Sequence, residues 1–222
     1  RSAAYLKAMV FSDRGTPAFE YIEDHHSIMF AGDNPLPKHA VIKVQQSASN
    51  LRFITLLCPV TTGGPAPVAE PITAKSGMGI KIVQSNSLPG YCIVRGDSSL
   101  AKIKIEAMGS NQVVTDAEMA FIRFSRDTEH PQQLFAKNMT ALTYKKNKII
   151  SAKNKFSIAL GQISDERNMF GKIESESDNT LELRLTAQKP EVSGAKRFTF
   201  EPKSRTLKID VGKQALFRIL MK

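Results

Sequence analysis

Two segments of this sequence alternate strictly between apolar and polar residues, and this period of two constrains the fold more than any other feature. The segments are residues 101–106 (AKIKIE) and 181–186 (LELRLT). In an extended strand a period of two places alternate side chains on opposite faces, so each segment predicts a half-buried β-strand. No window of twelve or more residues carries a convincing helical stripe, and the best one, at 132–139, fits a strand equally well. The sequence therefore predicts an all-β protein.

The remaining strand signals predict the architecture. Residues 198–220 are typical of strand, turn, strand and a last strand, which predicts a meander at the end of the chain. Residues 51–58 and 91–94 are more continuously apolar, which predicts central strands covered on both faces. Four prolines and two glycines in 59–71 predict a long irregular loop. About a dozen short strands predict a large antiparallel β-sandwich of two packed sheets, a single domain over residues 1–222.

The positive charge is concentrated in the C-terminal part of the chain. Residues 1–130 carry 13 Lys and Arg against 12 Asp and Glu, whereas residues 131–222 carry 18 against 9. Such a field attracts polyanions, namely nucleic acid, an anionic polysaccharide or an anionic membrane surface. Alternatively, the lysines form a solvated hairpin face that confers solubility and protects strand edges. The candidate contact residues are Lys145, Lys146, Lys148, Lys153 and Lys155.

Several function classes lack their sequence signals. The chain has no G-x-S-x-G, no G-x-x-x-x-G-K-[ST], no H-E-x-x-H and no paired C-x-x-C. It also lacks RNP sequences, a glycine clamp and a zinc-finger pattern, which disfavours nucleic acid as the partner. Its longest apolar runs are far shorter than the 18 or more residues of a transmembrane helix. We therefore predict no cofactor and no membrane span.

The residues considered for metal or thiol chemistry are two histidines and two cysteines. His25 and His26, in the segment Asp24-His25-His26, are the weak candidates for a metal, since this is the one cluster able to titrate near neutral pH. Adjacent strand residues point to opposite faces, so the two histidines could share a metal only in a turn, and we expect a polar strand end instead. Cys58 and Cys92 allow at most one disulfide. Both lie in apolar segments, where a thiol behaves as a small buried hydrophobe, so we expect a structural role.

One succession of strands and turns is similar to a known family. It comprises residues 50–59, 115–124, 133–144, 149–153 and 156–160. The pattern resembles the C-terminal β-sandwich of heparinase II/III-like polysaccharide lyases, and the likeness covers roughly residues 40–185.

The resemblance implies a lyase that cleaves an acidic, uronate-containing polysaccharide, such as a glycosaminoglycan, by β-elimination. In that reaction the uronate carboxylate is neutralised, a base removes the α proton and an acid protonates the leaving oxygen. The family takes its Asn, Tyr and His catalysts from an N-terminal helical toroid and the start of the following β region. Asp24-His25-His26 does not match that region, so no catalytic residue is transferred. The resemblance also implies a periplasmic or extracellular location.

The start of the chain adds to this expectation. It reads Arg1-Ser2-Ala3-Ala4, without an initiator Met or a leader, so we expect a processed protein or the C-terminal part of a longer chain. We therefore expect a non-catalytic β-sandwich that supports a helical catalytic region on the same parent chain and contacts its glycan. Two alternatives stay open: a free-standing polyanion- or carbohydrate-binding module, and a structural assembly domain. An exposed apolar patch would favour the first hypothesis.

Overall fold

The computed structural model describes residues 4–25, 38–49, 51–72, 74–75, 77–84, 89–96, 103–106, 112–124, 131–162, 167–185 and 189–221. These residues contain no helix, and therefore no helix that is long and apolar enough to cross a membrane. Every pairing between their strands is antiparallel. The predicted all-β fold is thus confirmed.

The chain divides into two compact units, Arg1–Thr62 and Gly63–Lys222. The described part of the first unit holds two separate two-stranded sheets. Strand β1 (Ala4–Ser12) pairs with β4 (Phe53–Thr61), and β2 (Ala18–His25) pairs with β3 (Lys38–Gln45). The division into two units does not test the single domain predicted over residues 1–222, which stays a prediction.

The described residues of the second unit form fifteen strands joined in one hydrogen-bonded sheet. They are β5 (Val68–Ile72), β6 (Ala74–Lys75), β7 (Gly77–Val83), β8 (Gly90–Arg95), β9 (Ile103–Glu106), β10 (Gln112–Thr115), β11 (Met119–Phe124), β12 (Pro131–Tyr144), β13 (Asn147–Gln162), β14 (Asn168–Ser175), β15 (Asn179–Arg184), β16 (Pro190–Ser193), β17 (Arg197–Glu201), β18 (Thr206–Val211) and β19 (Gln214–Met221).

This sheet is bent into two layers, because the long strands β12 and β13 take part in both. The first layer has the order β16-β19-β14-β13-β12-β11-β8-β7-β5, and the second the order β6-β9-β10-β12-β13-β15-β18-β17. One core cluster joins residues of the first layer, such as Ile158 and Phe217, to residues of the second, such as Ile150 and Ile209. The two packed layers of the predicted sandwich are therefore present, and one continuous sheet forms them.

The bend lies in β12, where the pairing with β13 shifts between Ala136 and Ala141. Asn138 has a φ of 51°, a left-handed conformation that asparagine tolerates better than most residues. The carboxylate of Asp116 accepts hydrogen bonds from the amides of Thr140 (2.8 Å) and Ala141 (3.0 Å) and from the Thr140 hydroxyl. Partial burial acts to raise the pKa of Asp116, but these hydrogen bonds outweigh it, so its pKa lies below the usual value. Asp116 thus fastens the bend.

Two local predictions differ from the structure in the segment around β4. The central strand predicted at 51–58 is wrong, because among the described residues β4 pairs only with β1, and Leu57 is 61% exposed. The predicted loop at 59–71 is too long, since Pro59 lies in β4 and Pro71 in β5. Both are edge strands among the described residues, and an edge strand tolerates proline because one side of it forms no ladder.

The end of the chain is only partly the predicted meander. The hairpin of β17 and β18 is confirmed, and so is the central position of residues 91–94, because β8 lies between β7 and β11. Strand β19, however, pairs with β14 and β16 rather than with β18. The last strand therefore crosses from the second layer to the first, and the core lies between β18 and β19.

Candidate functional site

The five predicted contact lysines are spread along the hairpin of β12 and β13. Lys145 and Lys146 form its turn, and Lys145 lies over the Tyr144 ring, 5.3 Å from its centroid. The other three project from β13, and all five side chains are exposed. Lys148 faces Glu182 at 4.0 Å, while Lys155 lies close enough to Glu118 to help lower its pKa, after the stronger effect of the hydrogen bond from Asn138. The structure does not gather the five lysines into one cluster.

The turn of this hairpin carries backbone strain. Lys145 and Lys146 have φ values of 48° and 69°, as the two-residue type I′ turn requires, and residues with a Cβ adopt such values at a cost. We expect that replacing the pair by Asn-Gly (K145N/K146G) raises the free energy of unfolding by about 1 kcal/mol. Urea unfolding followed by far-UV circular dichroism measures this effect. An equal or lower stability would contradict the assigned turn geometry.

The second layer has a charged outer face, which we call the basic face. It consists of the outward-facing residues of β15, β18, β17 and the first half of β13, together with Asp178 and Lys196 from the loops at one end. Glu182 receives a hydrogen bond from Lys208 at 2.9 Å, which is the main reason its pKa is lowered, and the same contact raises the pKa of Lys208. Six cations stand against four carboxylates on this face: Lys148, Lys153, Arg184, Lys196, Arg197 and Lys208 against Asp178, Glu182, Glu201 and Asp210.

A polar pocket of about 410 Å³ opens at one end of the basic face. That volume lies within the roughly 300–1,000 Å³ of typical ligand sites. The pocket contains one of the five predicted lysines, Lys153. Its lining residues are Lys153, Asn154, Asp178, Asn179, Thr180, Lys196, Arg197, Asp210 and Val211.

The carboxylates of the polar pocket are engaged by neighbouring side chains. Asp210 accepts a hydrogen bond from the Thr180 hydroxyl (2.7 Å) and one from Nε of Arg197 (2.9 Å), and these contacts lower its pKa. Asp178 forms an ion pair with Lys196. Lys153 has no carboxylate within ion-pair distance among the described residues. The pocket therefore keeps one positive charge that no carboxylate balances.

The sequence analysis missed the pocket residues Lys196, Arg197 and Asp210. A signal for two of them was present, because the predicted hairpin of β17 and β18 has a register that places Arg197 opposite Asp210. No local signal connects this hairpin to Lys153, since β15 lies between β13 and β18.

The outer face of the first layer carries an apolar groove of about 530 Å³. Its floor runs along β13 over Ala159 and Gly161, and small residues there leave room between the Phe135 and Phe170 side chains on the neighbouring strands. Phe135 is 44% exposed, Phe170 40% and Leu216 72%. The groove is lined by Phe121, Gln133, Leu134, Phe135, Ala159, Leu160, Gly161, Phe170, Gly171, Lys172, Leu216 and Phe217.

The predicted weak metal candidates lie outside the described side chains. His25 is the last residue of β2, but its side chain and the whole of His26 are not among the described parts. In the part of the chain that is described, no three His, Cys, Asp or Glu residues come together as a metal site. Cys58 and Cys92 are both free and half-buried, and burial raises the pKa of the Cys92 thiol. A raised pKa keeps this thiol in its less reactive protonated form.

Comparison with known proteins gives no family assignment. No protein-family model matches the sequence. No significant match is found among curated proteins. The functional argument therefore depends on the chemistry of the basic face, the polar pocket and the apolar groove.

Proposed function

We propose that this chain is the non-catalytic C-terminal β-sandwich of a heparinase II/III-like polysaccharide lyase. In this proposal the parent enzyme cleaves an acidic, uronate-containing glycan by β-elimination in the periplasm or outside the cell. The sandwich packs beside a helical catalytic region of the same parent chain and contacts the glycan. The observation that carries the proposal is the excess of cations over carboxylates on the basic face.

The basic face suits a glycan that presents repeated negative charges. Its carboxylates hold lysines and arginines in place, as Glu182 does for Lys208 and Asp210 for Arg197. The face extends over four neighbouring strands, whose three spacings of about 4.8 Å give a width of about 14 Å. Several sugar residues can lie across such a surface, and their carboxylates or sulfates would meet the spare cations.

The residues of the polar pocket support a contact role rather than a catalytic one. The described pocket lining contains neither histidine nor tyrosine, the side chains from which the resembled lyases draw their base and acid. Both of its aspartates are engaged by neighbouring side chains, and the hydrogen bonds from Thr180 and Arg197 lower the pKa of Asp210, which favours its charged, non-reacting form.

The apolar groove supports the packing part of the proposal. A soluble monomer seldom exposes a contiguous apolar surface with several large side chains, and such surfaces are typical of places that another element covers. The groove also favours a second candidate, a structural assembly domain without glycan contact. Unchanged behaviour towards glycans after replacement of all five predicted lysines and of the pocket cations would support that second candidate.

The purified chain should bind acidic glycans without cleaving them. We expect no absorbance from unsaturated uronate on incubation with heparan sulfate, chondroitin sulfate or alginate. Binding should weaken by on the order of tenfold between about 0.1 M and about 1 M salt, since the Debye length falls from about 10 to about 3 Å. Neutral dextran, the control, should not bind. Product formation would contradict the non-catalytic assignment, and an absence of binding to every acidic glycan would contradict the glycan contact.

A further inference from the structure

The polar pocket contains unused hydrogen-bond donors. Arg197 gives only its Nε to Asp210, so the two terminal amino groups of its guanidinium remain available. All three N–H donors of the Lys153 ammonium group are available, and Lys196 has further N–H donors besides the one directed at Asp178. Three cations therefore surround one cavity of about 410 Å³.

The side-chain acceptors of Asp210 and Asn179 are already engaged within the pocket. Both carboxylate oxygens of Asp210 accept hydrogen bonds, and the side-chain oxygen of the buried Asn179 accepts hydrogen bonds from the amides of Asn154 (3.3 Å) and Thr180 (3.1 Å). The three cations thus keep unused donors while the acceptors of Asp210 and Asn179 are engaged, so the pocket is suited to a group that accepts hydrogen bonds. Its charge balance, three cations against two aspartates, favours a group with a negative charge.

The geometry of the pocket is supported by rigid structure. Asn179 is 5% exposed, and its amide group donates to the carbonyl of Asn154 at 2.9 Å, which ties β15 to β13. Asp210 lies on β18 and is paired in register with both Thr180 and Arg197 on the neighbouring strands. The backbone that carries Lys153 and Arg197 is therefore fixed, and the hydrogen bond to Asp210 orients the Arg197 guanidinium before a ligand arrives, which reduces the entropic cost of binding.

We propose that the polar pocket is a subsite for one carboxylate or sulfate group of an acidic polysaccharide, with Lys153 and Arg197 as its principal donors. The guanidinium of Arg197 binds two oxygens of the group and Lys153 contacts it as a point charge. This inference rests on the proposed function and narrows it. The centre of the contact is the pocket, and not the run of lysines in the turn and on the rest of β13.

Two matched double variants test the pocket. K153Q/R197Q removes two positive charges from it, and K145N/K146G removes two from the hairpin turn. Affinity is measured for the full chain with heparan sulfate, which carries carboxylates and sulfates, and with alginate, which carries carboxylates alone. We expect K153Q/R197Q to lose at least about tenfold in affinity and K145N/K146G less than about threefold, because only the pocket cations hydrogen-bond the ligand. If K153Q/R197Q binds both glycans more weakly, the pocket takes a carboxylate. If it binds only heparan sulfate more weakly, the pocket takes a sulfate.

The single variant K153Q keeps the test independent of folding. Lys153 is exposed and has no carboxylate within ion-pair distance in the part of the chain that the structure describes, so this variant should unfold at the same urea concentration as the wild type. We expect it to lose about threefold to tenfold in affinity. Wild-type affinity in K153Q and in K153Q/R197Q, together with a loss in K145N/K146G, would overturn the pocket while leaving the proposed function in place. If the wild type binds neither glycan, the proposed function itself fails. Equally tight, Lys153-dependent binding of single-stranded DNA would overturn the assignment to a polysaccharide.

Discussion

Asp116→Ala should lower the free energy of unfolding by about 3 kcal/mol. Its carboxylate is the common acceptor for the amides of Thr140 and Ala141 and for the Thr140 hydroxyl, at the point where β12 bends from one layer into the other. Hydrogen bonds to a charged group contribute about 1.5–3 kcal/mol each, and a donor left unpaired adds its own cost of desolvation. Urea unfolding followed by far-UV circular dichroism measures the loss.

Asp116→Asn removes the negative charge of the side chain but keeps nearly the same shape, so it tests what the charge alone contributes to stability. The amide keeps one acceptor oxygen, so we expect a loss smaller than that of Asp116→Ala. The folded-state pKa of Asp116 is depressed, so its charge contributes stability above the unfolded-state pKa, about 3.9, and this contribution disappears as the pH falls through the lower folded-state pKa. The stability difference between wild type and D116N should therefore be constant above about pH 5 and shrink below about pH 4. A difference independent of pH throughout the acid range would show that Asp116 does not fasten the bend through its charge.

The bend has a functional consequence, because it places the two candidate surfaces on opposite sides of the core. The apolar groove lies on the outer face of the first layer, and the basic face with its polar pocket lies on the outer face of the second. A neighbouring domain could cover the groove without blocking the pocket. This arrangement is what a sandwich needs if it packs beside a catalytic region and contacts a glycan at the same time.

Local patterns in the sequence predicted the individual strands of the second unit well. The alternation at 181–186 became β15, and the turn after 198–200 became the hairpin of β17 and β18. Alternation of apolar and polar residues indicates a strand with one buried face, and a few neighbouring residues are enough to show it. Such patterns do not report the partner of a strand. The apolar run at 51–58 therefore predicted a central strand, whereas β4 pairs with β1 alone among the described residues.

The candidate site could be predicted only in part for the same reason. Lys153 was identified from the excess of lysines near it, but the other two cations of the pocket come from β17 and the loop before it, more than forty residues later in the chain. The order β13-β15-β18-β17 brings them together, and strand order is a property of the whole sheet. The five lysines, adjacent in sequence, are separated in space because the hairpin that carries them is long and bent.

Gly171→Ala should destabilise the protein by about 3 kcal/mol. Gly171 lies on the inner face of β14, opposite Phe217 of β19, and a Cβ built on it would overlap three atoms of the Phe217 ring. That ring is 3% exposed and belongs to the core cluster, so moving it would disturb the packing of its core neighbours. Overpacking of a core costs about 1–3 kcal/mol and occasionally more.

Gly161→Ala is the matched control, one strand away on β13. A Cβ there meets nothing within 4 Å, because Gly161 faces the open apolar groove. The loss of backbone freedom in the unfolded chain should make G161A more stable by about 0.5 kcal/mol. The double variant G171A/F217L should recover part of the stability lost in G171A, since a smaller side chain at 217 leaves room for the methyl group. If G171A were as stable as G161A, Gly171 and Phe217 could not pack as closely as this core requires, and the described packing of β14 against β19 would be refuted.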